Sequence, residues 1–323
     1  MMLKVAEFCA GTGAFSLALQ KCGPFETVFA NDIDEKCKVT FDLNHDTRMV
    51  VKDIHDLKNE DIPSMDVMTF GFPCQPFSLA GKKQGFKDKR SNVFWRICEI
   101  IDHHHPRVIF AENVKNLLGH DSGKTFQSIC DRFKELGYHV KHKVMNTSVY
   151  TGIPQNRERL FIVGFKNIIE HDAFQFPSEA IRPHPVSNYL LDEVADKYYY
   201  SASSKIWPLL SQGVKEVGKV YQYRRVYVRE NKNDVCPTLT ANMGAGGHNV
   251  PVIKDNNGIR KLTPRECFRL QGFPENYVLP LNLSDTALYK QAGNAVTVRM
   301  IELIGKNIYS ALSTTTSDLA NLS

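Results

Sequence analysis

Apolar and polar positions follow one another in blocks whose period changes along the chain. Short apolar runs, "KVAEFC" (4–9), "TVFAND" (27–32), "DVMTFGF" (66–72) and "RVIFAEN" (107–113), read as strands. Amphipathic helices fall between them. In "KTFQSICDRFKEL", Phe126, Ile129, Cys130, Phe133 and Leu136 recur at helical spacing. This βαβ rhythm predicts an α/β fold, a largely parallel sheet with helices on both faces. Two further strands, "YHVKHKVMN" and "RLFIVGF", flank a loop containing "GIPQN" and are expected as an antiparallel pair at a sheet edge.

From about residue 173 the rhythm breaks, and proline, tyrosine, glycine and asparagine become frequent. "ANMGAGGHN" (241–249) cannot form a regular element. Helices resume at Thr263, where "TPRE" reads as a capping box with proline at the first helical position. Met300, Ile301, Ile304, Ile308 and Leu312 stripe a last helix, and "STTTSDLANLS" reads as a frayed tail. The expected organisation is a main domain over 1–172 and an irregular, β-rich module over 173–261. Helices over 262–323 would then return to the main domain.

The composition is globular, 42% hydrophobic and 23% charged. No stretch reaches the roughly 20 apolar residues of a membrane span, and the N-terminus lacks the basic head and apolar run of a signal peptide. A reducing, cytoplasmic setting is therefore expected. The eight cysteines fit it: they are scattered, without a C-x-x-C, so neither a zinc site nor a disulfide framework is predicted. A net charge of +5 is mild, but its placement changes the picture. Residues 205–232 carry seven Lys or Arg against two Glu, interleaved with four Tyr or Trp. Lys82, Lys83, Lys87, Lys89 and Arg90 form a second basic cluster. Such stretches suit a nucleic-acid face or two solvated surfaces.

"EFCAGTGAFSLAL" is a strand, a glycine turn and a helix, and Asp32 closes the next strand, where an acid can hold ribose hydroxyls. The pattern admits a nucleotide-like ligand or a merely tight turn. The missing third glycine argues against a dinucleotide. Cys74 in "GFPCQPFS" follows the third clear strand and Glu112 ends the fourth, so both are expected at the carboxyl edge of the sheet. Cys74 is a nucleophile whose thiolate the following cations favour, or a small buried hydrophobe. Arg157 and Arg159, two apart at a strand start, suit phosphate or carboxylate, or are surface charge. "DHHHP" (102–106) ends a helix, where histidines complement the dipole, and no metal site is expected there.

Taken in order, "GFPCQPFS", "ENV", "QNRERLFIVGF", "TPRECFRLQGFP" and "YKQAGNAV" resemble the DNA (cytosine-5) methyltransferases of bacteria and their viruses. The resemblance runs from about residue 3 to 310 and is interrupted by the irregular module, where that family keeps its target-recognition domain. It implies a Rossmann-like mixed sheet binding S-adenosylmethionine (AdoMet), no metal, and double-stranded DNA as partner. In the reaction it implies, the Cys74 thiolate adds to carbon 6 of a flipped-out cytosine while Glu112 holds or protonates nitrogen 3. Carbon 5 then takes the methyl of AdoMet, and loss of its proton expels Cys74. Arg157 and Arg159 would orient the base or its surroundings, and the residues after Cys74 would close over it.

For the methyl donor, the resemblance implies Gly11 and Gly13 at the methionine portion and Asp32 at the ribose. Ile33 and Ile54 would flank the adenine, Asp53 would face its amino group, and Pro73 and Asn294 would close the pocket. "VYQYRRVYV" and "CPTLTANMGAGG" resemble the two recognition loops. Gln222 would fill the space of the flipped base, Arg225 would read a guanine edge, and Thr238 and Thr240 would hold phosphate. Cys9, Ala14 and the Asp32–Ile33 pair depart from the usual family residues and bear on donor affinity. A restriction-modification system with a separate endonuclease, or a viral counterpart, is the implied setting, with the chain acting as a monomer. The tRNA-methylating branch lacks a sizeable insert, a catalytically dead relative would lose Cys74 or Glu112, and an oxidoreductase would carry a full G-x-G-x-x-G.

Overall fold

The four strands read in the first half form to within two residues at either end: β1 Leu3–Phe8, β2 Phe25–Asp32, β4 Val67–Gly71 and β5 Val108–Val114, with a short β3 at Val50–Val51. Val108, Ile109, Phe110 and Ala111 are all buried, as expected of a strand covered on both faces. The computed structural model describes residues 2–72, 93–245 and 249–320, with side chains to residue 314. Pro73, Cys74 and the basic stretch after them lie outside the described residues.

β6 His139–Asn146 and β7 Glu158–Phe165 complete a seven-stranded mixed sheet of order β3-β2-β1-β4-β5-β7-β6. Pairs β1–β2, β1–β4, β2–β3 and β4–β5 are parallel, and β5–β7 is antiparallel. The two late strands are neighbours at the sheet edge, as expected, with β7 next to β5 and β6 outermost. Strand order runs outward in opposite directions from β1 and β4. The crevice beyond their carboxyl ends is therefore the topological switch point, where such sheets bind ligands.

Helices α1 Ala14–Leu19, α2 Glu35–Asp42, α3 Val93–His104 and α4 Lys124–Glu135 follow the strands. Ile97 and Ile101 of α3 and Ile129 and Phe133 of α4 pack into one core with Phe8, Met68, Phe70 and Ile162. His103 and His104 end α3. Among the described residues no group of His, Cys, Asp or Glu is placed to hold a metal ion. Among them, too, no helix is long and apolar enough to cross a membrane.

Contacts divide the chain into two units, Met1–Met145 with Glu158–Pro177 and Ile301–Ser323, and Asn146–Arg157 with Ser178–Met300. Short helices α5 Thr147–Tyr150, α6 Ile168–Ala173 and α7 Trp207–Gly213 precede a second sheet of order β11-β10-β8-β9. Its strands are β8 Val220–Tyr223, β9 Val228–Glu230, β10 Val252–Asp255 and β11 Gly258–Lys261, paired antiparallel. Tyr221, Val252 and Ile259 close over Ile206, Leu210 and Val214.

Then come α8 Pro264–Leu270, α9 Asp285–Asn294 and α10 Val298–Ala320. The capping box is present at α8: Thr263 accepts from Glu266 N, and the Glu266 carboxylate accepts from Thr263 N. The same carboxylate takes both ends of the Arg260 guanidinium at 2.8 Å, while Asp255 holds Arg260 Nε at 2.6 Å. This buried bidentate pair ties α8 to β11. It accounts for a difference from the sequence reading, in which all of 262–323 rejoins the main domain. By contacts only Ile301–Ser323 does so, and α8 and α9 belong to the second unit. The tail read as frayed continues α10 to Ala320.

Candidate active site

At the end of β1 the chain turns through three left-handed residues, Cys9 (φ 52°), Gly11 (φ 55°) and Gly13 (φ 73°). Gly13 has a second constraint. A Cβ there would stand 2.2 Å from Nε2 of His45, whose ring stacks on Phe41 at 4.1 Å. Asp32, ending β2, braces the turn: one carboxylate oxygen accepts from Gly11 N and the other from Asp34 N, at 2.8 and 2.9 Å. Ile33 beside it is 67% exposed, an open apolar side chain, whereas Ile54 is buried in the core. Asp53 caps the short 3-10 helix Ile54–Asp56 and accepts from both His55 N and His55 Nδ1. These hydrogen bonds hold its carboxyl below the usual range. Burial, with the charges of Asp32 and Asp53, pushes the Cys9 thiol up to about 12, so it stays protonated.

Across the switch point, Glu112 lies opposite Gly71 in the parallel β4–β5 register, three residues before Cys74. Asn113 Nδ2 donates to Phe72 O at 2.8 Å and fixes the start of the segment that leads to the thiol. Arg159 sits one diagonal step from Glu112 on β7, and its Nε meets Glu112 Oε1 at 2.9 Å. Both side chains are largely buried. The rim pair Lys115–Glu158, more exposed, adds little.

The second unit holds the remaining candidates. Arg157 is 2% exposed, and its guanidinium donates to the carbonyls of Leu239, Gly293 and Ala295 at 2.8–3.1 Å. Both terminal nitrogens thus donate to backbone carbonyls. A buried guanidinium needs polar partners, and these carbonyls accept from both of its terminal nitrogens. Asn294 ends α9 and is exposed. Gln222 on β8 accepts from Arg229 across the hairpin. Arg225, left-handed at φ 64°, is at the exposed hairpin tip with Arg224, Val226 and Tyr227. Thr238 donates to Asn156 O at 2.6 Å, and Thr240 donates to the side chain of Asn242, in its own loop, at 3.1 Å.

A family model described as C-5 cytosine-specific DNA methylase matches residues 3–310. The chain belongs to that family. It is 46% identical over 319 residues to the type II methyltransferase M.Bsp6I of Bacillus sp. strain RFL6, covering 96% of this chain and all of the relative. M1.ScrFI of Lactococcus lactis subsp. cremoris is 37% identical, over 96% of this chain and 78% of its own length. The fold is similar to that of S. pombe Dnmt2 methyltransferase, with a TM-score of 0.75 and 22% identity over 96% of this chain and 99% of the other.

The cytosine-5 methylases draw their methyl group from AdoMet, and the turn after β1 fits such a donor. Asp32 is held by two backbone N–H groups yet each oxygen keeps a lone pair for a ribose hydroxyl. Apart from Gly11 itself and its two chain neighbours, no described atom lies within 4 Å of where a Cβ on Gly11 would stand.

Sequence reasoning passed over Glu7, which is fully buried on β1 and accepts from the Ser16 amide and hydroxyl, pinning α1 to the strand. An acid inside an apolar run was the available signal. Burial raises its carboxyl to about 7, outweighing the Ser16 hydrogen bonds. Folded Glu7 therefore binds its proton more tightly than the unfolded chain, with its value near 4.5. Its contribution to stability is fully present below about 4.5 and is lost as pH rises through about 7, a swing of about 3 kcal/mol. Thermal melts from about pH 5 to 8.5 should show Glu7→Gln flattening this part of the profile; parallel wild-type and variant profiles would contradict it.

Proposed function

We propose that this methylase transfers the methyl group to carbon 5 of a cytosine flipped out of a short, specific duplex sequence, through a covalent adduct of Cys74. The observation that carries this reading is the Glu112–Arg159 pair beside the strand end that leads to Cys74. A carboxyl held at 2.9 Å by a guanidinium has a defined direction, which a group bonding one ring nitrogen requires.

The chemistry follows from the residues. The Cys74 sulfur forms a bond to carbon 6, and the carbon 5–carbon 6 π electrons become available at carbon 5. Glu112 holds nitrogen 3, where charge develops, and Arg159 keeps the carboxyl in place. AdoMet, when bound, supplies a sulfonium methyl. Once carbon 5 is methylated, loss of its proton returns electrons to the ring and the carbon–sulfur bond breaks. Asp32, Gly11, Gly13, Ile33, Ile54, Asp53, Pro73 and Asn294 are the proposed donor contacts. The module over 173–261 is read as the target-recognition domain, with Gln222 filling the space of the flipped base and Thr238 and Thr240 at phosphate. The relatives named as type II methyltransferases support a restriction-modification setting; a separate endonuclease and a cytoplasmic, monomeric enzyme complete the proposal.

The test is to incubate the protein with AdoMet and mixed duplexes in which cytosine is replaced by 5-fluorocytosine. Carbon 5 then has no proton to lose, so the adduct should persist on a denaturing gel and map to Cys74. Trapping with RNA alone would move the substrate to the tRNA branch, and failure with both would leave only the fold. At the hairpin tip, Arg225→Ala is expected to cost roughly 1–3 kcal/mol of discrimination at one base pair. Competition between cognate and single-substitution duplexes reads this; equal weakening on every sequence would make Arg225 a phosphate contact.

A further inference from the structure

The segment 236–240 is fastened to 154–157 at Cys236, Thr238 and Leu239. Cys236 N donates to Pro154 O and Asn156 N to Cys236 O, both at 2.7 Å. Thr238 Oγ1 donates to Asn156 O at 2.6 Å. The Leu239 peptide is gripped on both sides: its N–H reaches Gln155 Oε1 at 3.2 Å, and its carbonyl accepts from Arg157 Nη1 at 2.9 Å. Gln155 is fully buried and also donates to Leu270 O at 2.7 Å. The second nitrogen of Arg157 reaches Gly293 O and Ala295 O. Gly293 in turn lies under the next peptide, where a Cβ would stand 2.2 Å from the Thr240 carbonyl carbon.

Two separate stretches of chain, 154–157 and the end of α9 at Gly293, thus meet on one loop. Satisfying this many buried polar groups requires one placement of the loop, since any shift leaves charged or amide donors unpaired. We propose that Arg157 is a positioning residue for sequence discrimination: with Gln155 it clamps the Leu239 peptide, and Gly293 gives Thr240 the clearance to stand where it does. This rests on the proposed reading of the 236–245 loop as DNA-facing. It separates the two arginines of "NRER", Arg159 acting on the carboxyl of Glu112 and Arg157 on the loop.

The experiment uses the full chain in Arg157→Lys, Gly293→Ala and Thr240→Asp forms. KM for DNA, kcat and AdoMet binding are measured, and the methylated sites are read by bisulfite sequencing of plasmid from expressing cells. Lysine keeps the charge but carries its donors on one nitrogen and lacks the fork that reaches Leu239 on one side and Gly293 and Ala295 on the other. Arg157→Lys and Gly293→Ala should each raise the DNA KM about tenfold or more and extend methylation to sites differing at one base. AdoMet binding should stay within about twofold of wild type. A fall in kcat with unchanged KM and unchanged sites would overturn the proposal and return Arg157 to the substrate. Thr240→Asp tests the underlying reading, because a carboxylate there should repel phosphate and raise KM whatever the clamp does. If it changes nothing, the loop does not face DNA; if it acts and the other two do not, the clamp alone fails. Amide exchange on the unaltered protein guards against misfolded variants. The Leu239 N–H should exchange as slowly as those of β8, and rapid exchange would overturn the clamp.

Discussion

Cys74→Ser is expected to reduce methyl transfer by about 10⁴-fold or more while duplex binding survives. Serine keeps the shape but not the chemistry. A thiol yields an appreciable thiolate near neutral pH and that thiolate is intrinsically strongly nucleophilic, whereas a hydroxyl needs an adjacent base. The buried thiols among the described cysteines cannot substitute. Burial pushes those of Cys98 and Cys130 up to about 12 and about 11, and raises those of Cys236 and Cys267 well above the ordinary thiol range. The measurement is single-turnover transfer of labelled methyl at saturating DNA, beside a gel-shift titration of the same variant. Turnover within about 100-fold of wild type would remove Cys74 from the nucleophile's role. Loss of both transfer and binding would show that the substitution had disturbed the site as a whole.

Much of the first unit is legible from local pattern. Strands such as "VIFAENV" are continuous apolar runs because both faces are covered, and in the second unit Thr263-Pro264-Arg265-Glu266 specifies its cap within four residues. Gly11 and Gly13 announce a turn, and Asp32 stands where a brace for that turn would be. What local pattern does not carry is set by partners far along the chain. Arg157 meets carbonyls 82, 136 and 138 residues away, and a backbone carbonyl leaves no trace in the residue type that bears it. That β7 and not β6 is the strand that joins β5 depends on pairing energies across the whole sheet. The attachment of α8 to the second unit hangs on Arg260 and Glu266, ordinary surface residues by composition that happen to meet in a buried fork.

Glu112→Gln is expected to lower kcat by roughly 10²–10⁴-fold, the range for removing a positioned acid. The amide preserves size and one carbonyl acceptor, so it separates proton delivery and charge from mere occupancy of the space. In the wild type, Glu112 accepts from Arg159 at Oε1, and the proposed contact to nitrogen 3 falls to its other oxygen. An amide meeting Arg159 through its oxygen can offer nitrogen 3 only a weak neutral donor and cannot give up a proton. The variant also leaves the Arg159 guanidinium facing a dipole in place of a carboxylate, so its melting temperature must be followed alongside. Adduct formation with 5-fluorocytosine decides what has been lost. If Glu112 assists the addition of Cys74, the adduct should form more slowly by the same factor as kcat. Full-speed trapping with depressed turnover would instead place its contribution after the addition, at methyl transfer or release. An unchanged kcat would mean that nitrogen 3 needs no acid, leaving Glu112 as the partner that steadies Arg159.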